Sequence, residues 1–198
     1  MKKRLSSFNL LLLLPLILHA QDIRADYLTV QNAGGMGLFS GGFTWNVGRH
    51  HRVELSTMMG FVPRYDGNQS HMTFTFKETF TPRWQLLPKA PVYMGVYLTG
   101  ITGEDFWLSQ PSRYPDNYYS DLSTRYRFNL CLGRNIPLAV IPHEGNPLWS
   151  RLSLFVELST CDYYFRAWVS SHELRFDEIV GLSFGMRLSL STNNTTIL

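Results

Sequence analysis

The stretch that decides the fold is Ile179-Val-Gly-Leu-Ser-Phe-Gly-Met-Arg-Leu-Ser-Leu190, in which apolar residues alternate with small or polar ones. A period of two is that of a β-strand, because successive side chains of a strand point to opposite faces. A helix would scatter the same apolar residues around its circumference. The segment therefore predicts a strand with two contrasting faces. The apolar face carries Val180, Leu182, Phe184, Met186, Leu188 and Leu190, and the other face carries Gly181, Ser183, Gly185, Arg187 and Ser189.

The same alternation recurs along the chain, in segments close to the roughly 9–11 residues that a tilted membrane strand needs. Eight antiparallel strands can close on themselves and leave no exposed edge. We therefore predict an all-β fold, an eight-stranded antiparallel up-and-down barrel that occupies residues 21–198 as one domain. The seven further segments are 26–33 (the weakest), 35–47, 52–62, 71–81, 91–101, 122–133 and 150–161.

The connections between these segments also suggest a barrel in a membrane. Outer-membrane barrels have short turns at the inner end and longer loops at the outer end. Here the inner turn Val47–His50 is short, and three outer connections are longer: Pro63–Ser70, Gly103–Asp121 and Asp162–Asp177. Two connections fit this pattern less well, because Asn32–Gly34 is short for an outer loop and Arg134–Trp149 is long for an inner turn.

The N-terminus has the pattern of a secretory signal peptide. Lys2, Lys3 and Arg4 precede an apolar run at 10–18, and Ala20 marks a possible cleavage site. The run is about half of the ~20 residues that a membrane-spanning helix needs. We expect residues 1–20 to be removed on export; a retained anchor is the less favoured alternative.

Composition favours a lipid-facing wall. Charged residues make up 17% and aromatic residues 14% of the chain, and the net charge of +3 is too small to indicate nucleic-acid binding. The polar faces consist mostly of Ser, Thr, Gly and Asn, whereas a water-facing surface would carry more Lys and Glu. The alternative is a soluble barrel whose apolar face lines a ligand cavity. Aromatic residues near segment ends are typical of a membrane girdle; they are Trp45, Trp84, Tyr93, Trp149 and Tyr163.

The polar faces would then line the barrel interior. Eight strands leave space only for side chains, so the sequence excludes a diffusion porin. We expect a packed plug of salt bridges in which Glu54 and Glu157 pair with basic residues; a narrow anion path is the alternative. The predicted interior charges are Glu54, Lys77, Arg125, Arg127, Arg151, Glu157 and Arg187.

Three residues test this strand placement. Glu78 falls on an apolar face near the end of its segment at Pro82, which favours a position near the membrane interface; the alternative is a bulge that shifts the register. Cys131 is placed near the inner end of its strand and Cys161 at the outer end of the next. A disulfide requires Cα atoms within about 7 Å, so we predict two free thiols.

Two groups of residues at the outer end are candidates for interaction or chemistry. In the loop 103–120, Glu104 and Asp105 could bind a cation or lipopolysaccharide, and Trp107 and Tyr114 could stack on sugars. The alternative is a loop that covers the barrel mouth.

The second group has the residue types of a hydrolase. Such an enzyme needs a serine, a histidine base and a carboxylate that orients the histidine. Ser159 and Glu157 share an inward face, and His172 and His71 are expected at the same level. No spacing of cysteines or histidines indicates a metal site, and no glycine loop indicates a phosphate cofactor.

The chain resembles the small outer-membrane barrels of Gram-negative bacteria. One uncharacterised group has a similar Gly103-Glu-Asp-Phe-Trp107 loop, followed by Arg113-Tyr-Pro115, and a similar strand end, Glu157-Leu-Ser-Thr-Cys-Asp162. More distantly, the chain is similar to lipid A deacylases of the PagL type, which have a His-x-Ser pair on a late strand and a Glu partner. Here Glu157-x-Ser159 stands at that place and the histidine is replaced.

The resemblance implies a monomeric outer-membrane protein whose partners are membrane lipid and lipopolysaccharide, with a structural or surface-interaction role. It implies no nucleic acid, cofactor or metal. A lipid A hydrolase at the outer mouth is the alternative function, and a soluble barrel for an apolar ligand is the third. Outer-membrane barrels usually end on an aromatic residue within the last strand. This chain departs from that pattern, because residues 191–198 follow Leu190 without a terminal aromatic residue.

Overall fold

The computed structural model describes residues 24–48, 50, 52–64, 69–84, 90–103, 125–138, 151–171 and 175–190. Eight strands and two short helices form within these ranges. In chain order they are β1 (Tyr27–Asn32), β2 (Phe39–Val47), β3 (Val53–Val62), β4 (His71–Phe80), β5 (Val92–Ile101), β6 (Tyr126–Pro137), β7 (Leu152–Cys161), α1 (Asp162–Ser171), α2 (Phe176–Ile179) and β8 (Gly181–Ser189).

The eight strands form one closed barrel. Each strand pairs antiparallel with the next one in sequence, and β1 closes the ring by pairing with β8. The predicted eight-stranded antiparallel up-and-down barrel is confirmed. The predicted leader, residues 1–20, lies outside the described residues.

The two faces of the strands separate as their sequence period requires. Along β4, burial alternates residue by residue, so that Thr75 and Lys77 are buried while Phe74 and Phe76 are exposed. Large apolar side chains are exposed on all eight strands, and most of the buried side chains of the strands are polar. The core of this barrel is therefore polar, and its outer wall is apolar.

Glu78 lies on the apolar outer wall without any break in the ladder. Leu55 pairs with Glu78 and Val53 with Phe80, in continuous register between β3 and β4. The bulge that we considered for this position is therefore wrong. Glu78 is exposed two residues before β4 ends.

The barrel has two distinguishable ends. We call the end with the β1–β2 connection and α1 the distal end, and the opposite end, where β1 begins and β8 finishes, the proximal end. The β1–β2 connection is longer than expected, because β2 begins at Phe39 instead of residue 35. The segment 162–177, expected to be a loop, contains α1 and begins α2. None of the helices within the described ranges has the length and apolarity to cross a membrane.

The two cysteines are unpaired, as predicted, but the reason given for it is wrong. In the register between β6 and β7, Cys131 pairs with Ser159 and Asn129 pairs with Cys161. The two thiols are therefore diagonal neighbours on the inward face, where the typical separation is about 7–8 Å. β6 continues to Pro137, which places Cys131 near the middle of its strand instead of at the end.

Candidate functional site: the barrel interior

A buried ion pair crosses the middle of the barrel. The Lys77 Nζ atom lies 2.5 Å from Glu157 Oε2, and the two side chains are 3% and 0% exposed. Tyr93 donates its hydroxyl to the same carboxylate oxygen at 2.8 Å. Because β4 and β7 are not neighbours in the barrel, this contact joins opposite parts of the wall through the interior.

A second ion pair lies closer to the proximal end. Arg187 Nη1 donates to Glu54 Oε2 at 2.7 Å, and Thr79 donates to the same oxygen at 3.3 Å. The Arg187 guanidinium also lies 5.1 Å from the ring centroid of Phe155. Cation–π contacts of this kind are strongest where water is excluded. Each of the two buried cations, Lys77 and Arg187, has both an ionic and an aromatic neighbour.

Two glycines make room for the large interior rings. A side chain at Gly133 would overlap the Tyr93 ring, and one at Gly185 would overlap the Phe155 ring. Tyr93 and Phe155 are each 1% exposed. Small residues opposite large ones allow a narrow barrel to fill its interior without voids.

Neutral hydroxyls complete the polar packing between neighbouring strands. Thr44 shares hydrogen bonds with Thr29 at 3.0 Å and with Ser56 at 2.8 Å, and Thr75 shares one with Thr99 at 3.0 Å. Buried hydroxyls lose free energy unless they are paired, and here they pair across the ladder. This explains why the polar faces are rich in Thr and Ser instead of charged residues.

A loop folds into the distal mouth of the barrel. We call residues 33–38 the plug loop. Ala33, Gly34, Gly35 and Gly37 all have positive φ angles, which turn the chain back inward. Met36 at its tip is fully buried.

The wall holds the plug loop by its carbonyl groups. Tyr97 donates its hydroxyl to the Gly34 carbonyl, and Thr73 donates to the Met36 carbonyl. A side chain at Gly60 would overlap this same Met36 carbonyl. The sequence analysis missed this loop, although three glycines within 34–37 were a signal for it.

The remaining predicted interior charges lie toward the two ends. Arg125 donates to the Gly103 carbonyl at 3.2 Å, and Arg127 lies 5.6 Å from the ring centroid of Tyr163 at the distal end. Arg151 is exposed at the proximal end, where it donates to the Ser189 carbonyl. Of the seven predicted charges, Glu54, Lys77, Glu157 and Arg187 form the two ion pairs, and Arg151 is not in the interior.

Tyr93 was expected in a membrane girdle, and this expectation is wrong. Its ring lies in the interior because β5 places the odd-numbered residues between 93 and 99 inward. Tyr163 and Trp84, by contrast, are exposed at opposite ends of the barrel. Tyr97 shares the inward face with Tyr93.

The candidate catalytic residues that the structure describes face the packed interior of the barrel. Ser159 and His71 are 7% and 9% exposed, both facing inward. The Glu157 carboxylate is already bound by Lys77 and Tyr93. His172 lies outside the described residues, as do the loop candidates Glu104, Asp105, Trp107 and Tyr114.

No group of three or more metal-binding side chains comes together within the ranges that the structure describes.

The fold and interior define a class of protein, an eight-stranded up-and-down β-barrel with a polar, filled core and an apolar outer wall. No protein-family model, curated protein or solved structure is significantly similar to this chain. The interpretation of its function therefore depends on its own geometry.

Proposed function

We propose that this protein is an outer-membrane β-barrel with a closed interior and a structural or surface-interaction role. The observation that carries the proposal is the distribution of side chains around the barrel. Large apolar side chains are exposed on every strand, for example Leu182 at 51% and Phe184 at 53%, while Lys77 and Glu157 are buried. This is the reverse of a protein whose outer wall meets water.

Physical chemistry favours a bilayer around this wall. Monomeric soluble proteins rarely expose contiguous apolar patches above a few hundred Å², whereas lipid chains solvate such a surface. Closure of the sheet pairs the backbone groups of every strand on both sides, which is the condition for crossing hydrocarbon. A soluble barrel for an apolar ligand would turn Leu182 and Phe184 into a cavity, and here they face outward.

The interior argues against a conducting pore. The Lys77–Glu157 pair and the Arg187–Glu54 pair occupy the barrel below the plug loop. An ion would have to displace paired charges and a buried methionine in order to pass. We therefore assign the interior charges to the stability of the barrel and not to transport.

The location can be tested by expression in a Gram-negative host followed by fractionation of the membranes. A folded barrel should appear in the outer-membrane fraction and migrate faster on a gel before heating than after heating. Leu130, exposed in the middle of β6, offers a sharper test. Arginine at the bilayer midplane of a barrel costs about 2–4 kcal/mol, so Leu130→Arg should reduce the fraction that migrates as a folded barrel.

A matched control is Phe176→Arg, which places the same charge on an exposed residue of α2 outside the wall. It should leave the folded fraction unchanged. Recovery of the protein from the soluble fraction, or equal effects of the two variants, would contradict the proposal.

The rival function, lipid A hydrolysis, has a direct assay. Deacylation of lipid A by the purified protein, lost in Ser159→Ala, would establish it. We expect no activity, because Ser159 is buried and the Glu157 carboxylate is bound by Lys77 and Tyr93 instead of orienting a histidine.

A further inference from the structure

Helix α1 begins where β7 ends and lies at the distal rim. Asp162 stands in its first turn, where a carboxylate is favourable near the positive end of the helix dipole. Isolated helices shorter than about 12–15 residues are marginal in water. This ten-residue helix therefore depends on its surroundings, and within the described residues its main neighbours are β6, β7 and α2.

The side of α1 that meets the barrel is small. Arg127 lies 5.6 Å from the ring centroid of Tyr163, and Ala167 is half-buried. Among residues 163–170, only the Ala167 side chain is not exposed, so Ala167 marks the side of the helix that lies nearest the barrel. The aliphatic and aromatic residues on the rest of the helix are exposed, from 37% at Trp168 to 52% at Val169.

The uncovered apolar residues form one continuous surface, which we call the aromatic face. It consists of Tyr164, Phe165, Trp168 and Val169, which together span an arc of about 140° at 100° per residue. All four are exposed, and the Phe165 and Trp168 rings are 6.2 Å apart. The polar residues Arg166 and Ser170 lie on the remaining side of the helix.

Two features indicate which surroundings the aromatic face would contact. First, it continues the exposed apolar wall of the barrel, because α1 follows β7 and packs against β6, whose Phe128 is 62% exposed. Second, Tyr and Trp have amphipathic rings that favour the boundary between hydrocarbon and water. An apolar face opposite polar residues is the pattern of a helix that lies in the plane of a membrane surface.

We propose that the aromatic face of α1 lies in the lipid headgroup region at the distal end of the barrel, with the helix parallel to the membrane. This inference rests on the proposed membrane location. The occupant of the face is a lipid surface and not a second copy of the chain. Ser170 and Arg166 then face water, and α1 fixes the depth of the barrel's distal rim.

Fluorescence of single tryptophans can test this orientation in the full chain. Three versions are folded into phosphatidylcholine vesicles with bromine on the acyl chains near the headgroups. One keeps only Trp168, one keeps only Trp45 on the outer wall, and one carries only Ser170→Trp. All other tryptophans become phenylalanine. Iodide in the buffer measures exposure to water in each sample.

The expected result is quenching of Trp168 and Trp45 by the brominated lipid, with a blue shift of Trp168 emission on transfer from buffer. The residue introduced by Ser170→Trp should be quenched by iodide instead. Heat-modifiable migration checks that each version has folded. If a version fails to fold, the fluorescence of the natural chain minus that of Trp168→Phe isolates Trp168 through one conservative change.

The outcomes separate the two proposals. Lipid quenching of Trp45 without quenching of Trp168 would overturn the inference and leave the membrane barrel intact. A blue-shifted Trp168 that neither lipid bromine nor iodide quenches would indicate burial against protein, such as a second copy, and would also overturn it. Absence of lipid quenching at both positions would refute the membrane location and the inference with it.

Discussion

The buried Lys77–Glu157 pair permits a quantitative test of the interior packing. Glu157→Gln keeps the size of the side chain and an oxygen that can accept hydrogen bonds, but it removes the negative charge. Lys77 then remains in the barrel core with its side chain 3% exposed. Its other close neighbours include the rings of Tyr93, Tyr97 and Phe155, each 5.6–5.9 Å away.

Removing one partner of a buried ion pair destabilises a protein by about 3–5 kcal/mol, because the other charge is left uncompensated. The lower part of this range applies here. The Gln oxygen can still accept from Lys77 and Tyr93, and three rings attract the ammonium group. We therefore expect a loss of about 3 kcal/mol, which corresponds to roughly a hundredfold change in the unfolding equilibrium.

The assay is urea unfolding of the barrel in lipid vesicles, followed by tryptophan fluorescence and by gel migration. The free energy of unfolding follows from the midpoint and slope of the transition. The matched control is Asp177→Asn, which breaks the Arg175–Asp177 pair, whose side chains are 77% and 67% exposed. Pairs exposed to water contribute about 0–1 kcal/mol, so this variant should hardly change the transition.

A second variant distinguishes charge from shape. Replacing both partners, Lys77→Met with Glu157→Gln, leaves no unpaired charge and should recover part of the lost stability, since neutral replacement of a buried pair is often tolerated. If Glu157→Gln changes the free energy of unfolding no more than Asp177→Asn does, the interior is hydrated and the packed-plug interpretation is wrong.

Three further predictions follow from the interior. Gly133→Ala should lower the free energy of unfolding by about 1–3 kcal/mol, because its methyl group would overlap the Tyr93 ring. Tyr97→Phe should cost about 0.5–1.5 kcal/mol by removing a hydrogen bond to the plug loop, and should increase proteolysis within residues 33–38. A thiol reagent should label half-buried Cys161 before Cys131, which is 6% exposed, and reduction should leave the mass of the denatured chain unchanged.

Each of these predictions has its own control or contrary outcome. Gly181→Ala meets only ordinary contacts, the nearest at 3.8 Å, so it should be nearly neutral. An equally small effect of Gly133→Ala would show that the Tyr93 ring has room to move. Unchanged proteolysis in Tyr97→Phe would mean that its hydroxyl does not hold the loop. Equal labelling rates of the two thiols would contradict the burial of Cys131.

Much of the wall could be predicted because a strand in this barrel has one apolar and one polar face along its whole length. Period two in 179–190 therefore placed Leu182 outward and Arg187 inward without any knowledge of the neighbours. Strand ends were less predictable. In the sequence, residues 35–38 continue the strand-like alternation of 39–47, yet glycines with positive φ angles make them part of the plug loop.

The candidate site was less predictable than the wall. Glu54 and Glu157 were expected to pair with basic residues, but their partners depend on contacts across the barrel that no local pattern shows. Relative strand register also lies outside local periodicity. Cys131 was expected at the end of β6. The observed pairing of β6 with β7 is shifted by a few residues from the expected one, and this shift makes Cys131 a diagonal neighbour of Cys161.

The sequence by itself determined the number of strands and the face on which each strand residue lies, because side-chain alternation is a local property of the backbone. The tertiary structure alone decided that Lys77 meets Glu157 and Arg187 meets Glu54, and that the plug loop turns inward. Those contacts join residues up to 133 positions apart in the chain. They exist only once closure of the barrel sets the register of all eight strands.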